Sequence, residues 1–242
     1  MELFQTCLLI VISLLASFIQ GCTGFGYAIV SMSLLPLILP YKLAVTATAA
    51  SSFVMVLYFA VKLRKHIHLK LLFWPLISST VTSFAGVFLL ANTSETWIRH
   101  ILGLVLFCLS LYFIFLSNKI HISQTPANGL IAGTVSGIFN GLFNLGGPPM
   151  VVYFISAADD KMQYHATMQC YFAINGVIVL FSHAVMGDFN MQVMQCSGML
   201  LIGVAIGCLA GFALFRRISA DVMRRLVYGC MMILGIYLLI AG

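Results

Sequence analysis

Apolar runs about as long as a bilayer is thick follow one another along the chain, near residues 4–22, 25–40, 43–61, 71–91 and 97–117, then 128–143, 146–158, 163–182, 193–214 and 224–241. A hydrocarbon core of about 30 Å is crossed by roughly 20 helical residues, so the pattern predicts an all-α integral membrane protein. Of the 242 residues 62% are hydrophobic and 7% charged, where a soluble domain carries about 25% charged residues. The longest polar connections, near 62–70 and 117–128, are too short to be soluble domains. Function must therefore reside in the membrane part. The leading run lacks a basic n-region and a small-residue cleavage site, and is expected to be one span among many. The twelve Lys and Arg gather in loops, as orientation signals and contacts to anionic lipid do, and no basic domain suggests a nucleic-acid partner. Seven cysteines form no CxxC pair, so neither a disulfide framework nor a metal site is suggested, and no cofactor is expected.

A repeat runs through the chain at an offset of about 120 residues. "IQGCTGFGYAIV" (19–30) lies over "FNGLFNLGGPPMVV" (139–152), pairing Gln20-Gly21 with Asn140-Gly141 and Gly26 with Gly146. "KLAVTATAASSF" (42–53) lies over "KMQYHATMQCYF" (161–172), aligning Lys42 with Lys161, and "SETWIRHILG" (94–103) resembles "SADVMRRLVY" (219–228). Three matches in one order argue for duplication. They divide the chain into a first membrane repeat (1–118), a cytoplasmic linker (119–127) and a second repeat (128–242).

Charge placement relates the halves. In the first, the base-rich loop holds Lys62, Arg64, Lys65 and Lys70, while the loop 92–96 has Glu95 and no base. In the second, the loop 183–192 has Asp188 and neither Lys nor Arg, and the next connection holds Arg216, Arg217, Arg224 and Arg225. Parallel repeats would put the two basic clusters on opposite sides. The positive-inside rule thus predicts inverted repeats, each crossing an odd number of times, with both termini outside. Residues 4–40 as one helix would span about 55 Å, so they must break or turn back. Six to ten membrane segments are expected.

Asn140 to Met150 interrupts an apolar stretch with Gly141, Gly146, Gly147, Pro148 and Pro149. Paired prolines cannot continue a helical ladder but suit a first turn, so a helix should end near Asn144 and another begin near Pro148. Gly21, Gly24 and Gly26 predict a similar break before Tyr27. In a bilayer an unpaired backbone group is tolerated only where it is buried in protein or lines a polar cavity. Two helix N-termini meeting near the midplane present partial positive charge, which suits an anion. Gly21 and Gly141 fit close helix packing equally well.

None of the six acidic residues falls inside an apolar run, unlike the pathway carboxylates of cation carriers. The polar residues within or beside the spans are neutral: Gln20, Thr23, Thr46, Thr48, Ser51, Ser52, Asn140, Asn144, Thr167, Gln169 and Asn175. Such groups hydrogen-bond an oxyanion without trapping it. Thr46, Thr48, Thr167 and Gln169 follow the broken elements and are candidates to contact it. His165 and His183 are candidates for gating or protonation, with a packing role as the alternative for His165. Lys42 and Lys161 could attract an anion or snorkel to the interface. No HExxH, Walker lysine or Gly-x-Ser-x-Gly motif occurs, and catalysis is not expected.

The stretches "IQGCTGFGYAIV" and "FNGLFNLGGPPMVVYF", with the "ATA" and "HATM" positions after them, resemble the sulfite exporter TauE/SafE family over nearly the whole chain. That resemblance implies a secondary carrier of the bacterial inner membrane that moves a small sulfur-containing anion, such as sulfite, sulfoacetate or another organosulfonate. Its motif positions fall on Gln20, Gly21, Gly24, Gly26, Asn140, Gly141, Asn144, Gly146, Gly147, Pro148 and Pro149. Export by alternating access is the expectation, with a passive anion channel or an accessory subunit as alternatives. Room is left for a coupling ion, proton or sodium, and for an oligomer.

Overall fold

The computed structural model describes residues 3–115, 122–155, 160–214 and 220–241. Lys119, His121, Asp159, Arg216 and Arg217 lie outside the described residues, as do the side chains of Asp221, Arg224 and Arg225.

Among the described residues the α-helices fall into two successive sets of five. The first has α1 (Leu3–Thr23), α2 (Tyr27–Leu34), α3 (Tyr41–Lys62), α4 (Leu69–Ala91) and α5 (Glu95–Phe115). The second has α6 (Pro126–Phe143), α7 (Gly147–Ile155), α8 (Lys161–Val185), α9 (Met191–Leu214) and α10 (Ala220–Ala241). Among the described residues there is no strand. Six helices among the described residues, α1, α3, α4, α5, α8 and α9, are long and apolar enough to cross a membrane. At 1.5 Å per residue, α2 and α7, with 8 and 9 residues, reach only about 12–14 Å and cannot cross. The run 25–40, expected as one segment, is α2 followed by a 3-10 turn at Leu35–Leu37, because Pro36 and Pro40 stop the α-helix.

Local chemistry sets the helix starts. Thr125 accepts from Asn128 N–H to cap α6, whose first residue is Pro126. Asp160 accepts from Gln163 N–H at 2.8 Å to cap α8. The α3 start borrows its cap from another helix: Tyr41 N–H donates to Glu95 Oε1 at 2.8 Å.

The packing repeats when the halves are interchanged. α1 runs along α9 as α6 runs along α4, and α3 packs on α8 as α5 packs on α10. Small residues permit the first two contacts. Gly203, Gly207 and Gly211 of α9 bring their backbone against Ile10, Leu14 and Phe18 of α1, and Gly133, Gly137 and Gly141 of α6 do the same against Pro75, Ser79 and Ser83 of α4. α3 and α8 are antiparallel, since Thr46 meets His183, Phe53 meets Gly176 and Phe59 meets His165. α5 and α10 are antiparallel too, with Gly103 against Gly235 and Phe113 stacked on Tyr228.

Burial is arranged for an apolar solvent. Ser13, Ser17, Gln20, Ser79, Ser83 and Asn175 are buried, while Val81, Ile131, Phe181, Met194 and Ile233 are exposed. Trp74 near the start of α4 and Trp97 near the start of α5 are exposed at opposite ends of the helices, as interfacial anchors are.

Candidate anion site at the two helix breaks

The two breaks share a backbone solution. α1 ends at Thr23, and Gly24 at φ 85° turns left-handed while its N–H donates to Gln20 O at 2.8 Å. α6 ends at Phe143, and Asn144 at φ 58° does the same while its N–H donates to Asn140 O at 2.8 Å. Glycine and asparagine are the residues that enter this region at low cost. Gly26 and Gly146 then precede the short helices, Gly26 at φ 117°.

Side chains from α3 and α8 fasten these turns. Gln20 Oε1 accepts the Tyr27 N–H at 3.0 Å, capping α2, and its Nε2 lies 3.4 Å from Gln169 Oε1. Gln169 Nε2 in turn donates to Gly24 O at 2.9 Å. At the second break Asn140 Nδ2 donates to Asn175 Oδ1 at 2.5 Å, and Asn175 Nδ2 donates to Ser79 Oγ at 2.8 Å. Asn144 Nδ2 donates to Ser52 Oγ of α3 at 3.3 Å. Tyr171 OH donates to Ser136 Oγ, which donates to Gly146 O.

Between the breaks lies one cavity with about 50 Å³ of free volume. A water needs roughly 10–15 Å³ by this measure, so the space takes about three or four waters or one small oxyanion. Gln20, Gly26, Asn140, Asn144, Gly147, Pro148 and Ser52 line it, with the rings of Phe25, Phe53 and Phe172. Its other walls, from Ala49 to Val56 and from Phe172 to Val179, are the middle turns of α3 and α8. Among the described residues no Asp, Glu, Lys, Arg or His lines it.

Its donors are unequal. The first-turn amides of Ala28 and Ile29 lack an intrahelical acceptor by helix geometry and belong to residues on the wall. In α7 the helix starts at Gly147, so Pro148 and Pro149 occupy its second and third positions and bring no N–H. The expected row of free amides at α7 therefore reduces to Gly147, and the Asn140 and Asn144 side chains supply the remaining donors on that side.

The family model of the sulfite exporter TauE/SafE matches residues 9–238, from α1 to α10, both breaks included. The chain belongs to this family. TauE/SafE proteins are membrane permeases of the sulfite and sulfonate exporter type, not enzymes. No curated protein and no solved structure matches the chain.

The other predicted positions of this TauE/SafE member lie off the cavity wall. Gly21 and Gly141 face neighbouring helices: a Cβ on Gly21 would lie 2.8 Å from Cys208 O, and one on Gly141 would strike the α4 backbone at Ser83. Thr23 Oγ lies 2.9 Å from Ile19 O and 2.5 Å from Phe25 O, closing the first turn. Thr46 donates to Lys42 O, Thr48 is buried within α3, and Thr167 accepts from His68 N–H at 3.1 Å, tying α8 to the 62–70 loop. His165 is buried against the rings of Phe59 and Phe212, and His183 Nδ1 sits 2.7 Å from Asp188 Oδ2. Lys42, which donates to Ala91 O, and Lys161 are exposed at the ends of α3 and α8. Of the cavity groups, Ser52 stands among the neutral donors named from the sequence, whereas Phe25, Phe53 and Phe172 are not assigned from it. Phe25 stands between Gly24 and Gly26 as Leu145 stands between Asn144 and Gly146, so the repeat itself marked both as residues of the turn.

Proposed function

We propose that the chain is a secondary transporter that exports a small sulfur-containing anion, sulfite or a short organosulfonate, by alternating access across a bacterial plasma membrane. The observation that carries this reading is the cavity itself: two broken helices, related by the repeat, meet there and offer neutral donors, with no charged side chain on the wall among the described residues. Antiparallel packing of the repeat-related pairs α3 and α8, and α5 and α10, supports an inverted repeat. The placement against the middle turns of α3 and α8 supports a site near the bilayer midplane. The basic loop 62–70 faces the cytoplasm in this arrangement.

Asn144→Gly tests it. Glycine keeps the left-handed turn that Asn144 adopts at φ 58°, so the substitution removes the amide without straining the backbone. Sulfite flux in proteoliposomes should fall at least about tenfold, with the melting temperature in detergent unchanged. Wild-type flux from stable Asn144→Gly protein would sink the assignment.

A further inference from the structure

We infer that this site selects singly charged oxyanions over doubly charged ones, so that sulfite crosses as hydrogensulfite and its proton travels on the substrate. The inference rests on the anion reading above and goes beyond it in fixing the valence of what is carried.

The argument is a charge inventory. The helices that build the cavity are nearly free of ionisable side chains: α1, α2, α6 and α7 contain no Asp, Glu, Lys, Arg or His, and neither does α9 behind α1. The lysines of α3 stand at its ends, Lys42 and Lys62, and Lys70 opens α4. On α8, Lys161 is exposed, His165 lies behind Gly24 with Phe59 and Phe212, and His183 is taken by Asp188. Lys62 sits over the far Phe212 ring. Glu95 and Arg99 of α5 pair with each other at the α3 start. None of these groups lines the cavity.

What remains positive is dipolar. A helix N-terminus is equivalent to roughly +0.5 elementary charge, so α2 and α7, the latter short of two amides at Pro148 and Pro149, together supply at most about one unit. Independent donors point the same way. Gln20 and Asn140 are 4% and 7% exposed and line the cavity. Each amide nitrogen carries two hydrogens and makes one side-chain bond, to Gln169 and Asn175 respectively. One hydrogen on each is left for a ligand. About one unit of positive potential balances one negative charge. For a dianion the attraction doubles while the Born cost of leaving water rises about fourfold, and among the described residues no cation lines the cavity to offset the difference.

The wall fits the same class. Phe25, Phe53 and Phe172 give the cavity an apolar side, which suits the lone pair of hydrogensulfite or the methyl of methanesulfonate better than the four equivalent oxygens of sulfate.

The test is equilibrium binding to the purified full chain by calorimetry, with methanesulfonate, sulfate and sulfite, one pH unit below and one above neutrality. Sulfite loses its second proton near neutrality, whereas methanesulfonate is a monoanion throughout. Methanesulfonate should bind equally at both pH values, sulfate should not saturate, and sulfite should weaken about tenfold at the higher pH as its monoanion fraction falls. Sulfate binding as tightly as methanesulfonate, or sulfite binding equally well or better at the higher pH, overturns the inference. A parallel weakening of methanesulfonate assigns the pH effect to the protein, at His165 or His183, and overturns it as well. Binding of none of the three at either pH removes the anion reading and this inference together, a result distinct from binding with the wrong valence.

Discussion

Asn175→Leu is the substitution whose cost the structure specifies most fully. Asn175 is completely buried in α8 and joins three helices: its Oδ1 accepts from Asn140 Nδ2 of α6 and from Ser83 Oγ of α4 at 3.0 Å, and its Nδ2 donates to Ser79 Oγ of α4. Leucine keeps the branched shape with two methyls in place of the amide, so no cavity opens and the perturbation is the loss of three hydrogen bonds together with some crowding. Side-chain bonds between membrane helices average about 0.6 kcal/mol with a ceiling near 1.7, which places the loss at about 2 kcal/mol. The Asn140 amide, released from Asn175, also loses its position at the cavity wall. Reversible unfolding in mixed micelles should show the destabilisation, and sulfite flux per folded molecule should fall at least about tenfold. Wild-type flux from protein destabilised by about 2 kcal/mol would mean that the network holds helices and does not position Asn140. Unchanged stability would refute the energetic reasoning itself.

Gly141→Ala should destabilise by about 3 kcal/mol or more, because the added Cβ meets α4 backbone at Ser83, Gly86 and Val87 that cannot yield. Gly198→Ala, on a face with nothing within 4 Å, should be neutral or stabilise by up to about 1 kcal/mol; thermal unfolding of the two variants side by side checks both. Tyr27→Phe should cost only about 1 kcal/mol, since the hydroxyl bonds Ser51 at 2.7 Å and Ser13 at 3.2 Å but both serines keep backbone acceptors at Ala47 and Leu200. A loss of more than about 3 kcal/mol in the same unfolding assay would show that Tyr27 carries more than those bonds.

The helices were legible from length and hydropathy alone because a bilayer allows one solution to an apolar run of about twenty residues. The breaks were legible because proline and glycine act on the backbone locally, and the observed ends at Phe143 and Thr23 fall within a residue or two of those expected. The cavity wall was less so. Ser52 takes its place there beside Asn144, 92 residues away in sequence, whose amide donates to its Oγ. Thr167 and Gln169 sit in the stretch expected to contact substrate, yet they hold His68 N–H and Gly24 O instead. A list of polar residues in apolar helices cannot separate donors aimed at a ligand from donors spent on the neighbouring chain, because both satisfy the same rule that nothing polar is buried alone.

Gly21 and Gly26 show where that separation is available. They are five residues apart and of one type, but Gly21 follows Ser13 and Ser17 at intervals of four, the row that faces Gly203, Gly207 and Gly211 of α9. Gly141 likewise closes the row begun by Gly133 and Gly137 against α4. Successive residues point about 100° apart on a helix, so Gln20 and Asn140, each one position before its glycine, are turned off those rows and into the cavity. Gly26 lies beyond the helix end, where no such phase applies, and its left-handed φ aims the α2 N-terminus instead. The fourfold period thus assigns the glycines inside α1 and α6 to packing and the residues just before them to the site. Substituting the row should act on folding and substituting its neighbour on transport, although the two positions touch in sequence.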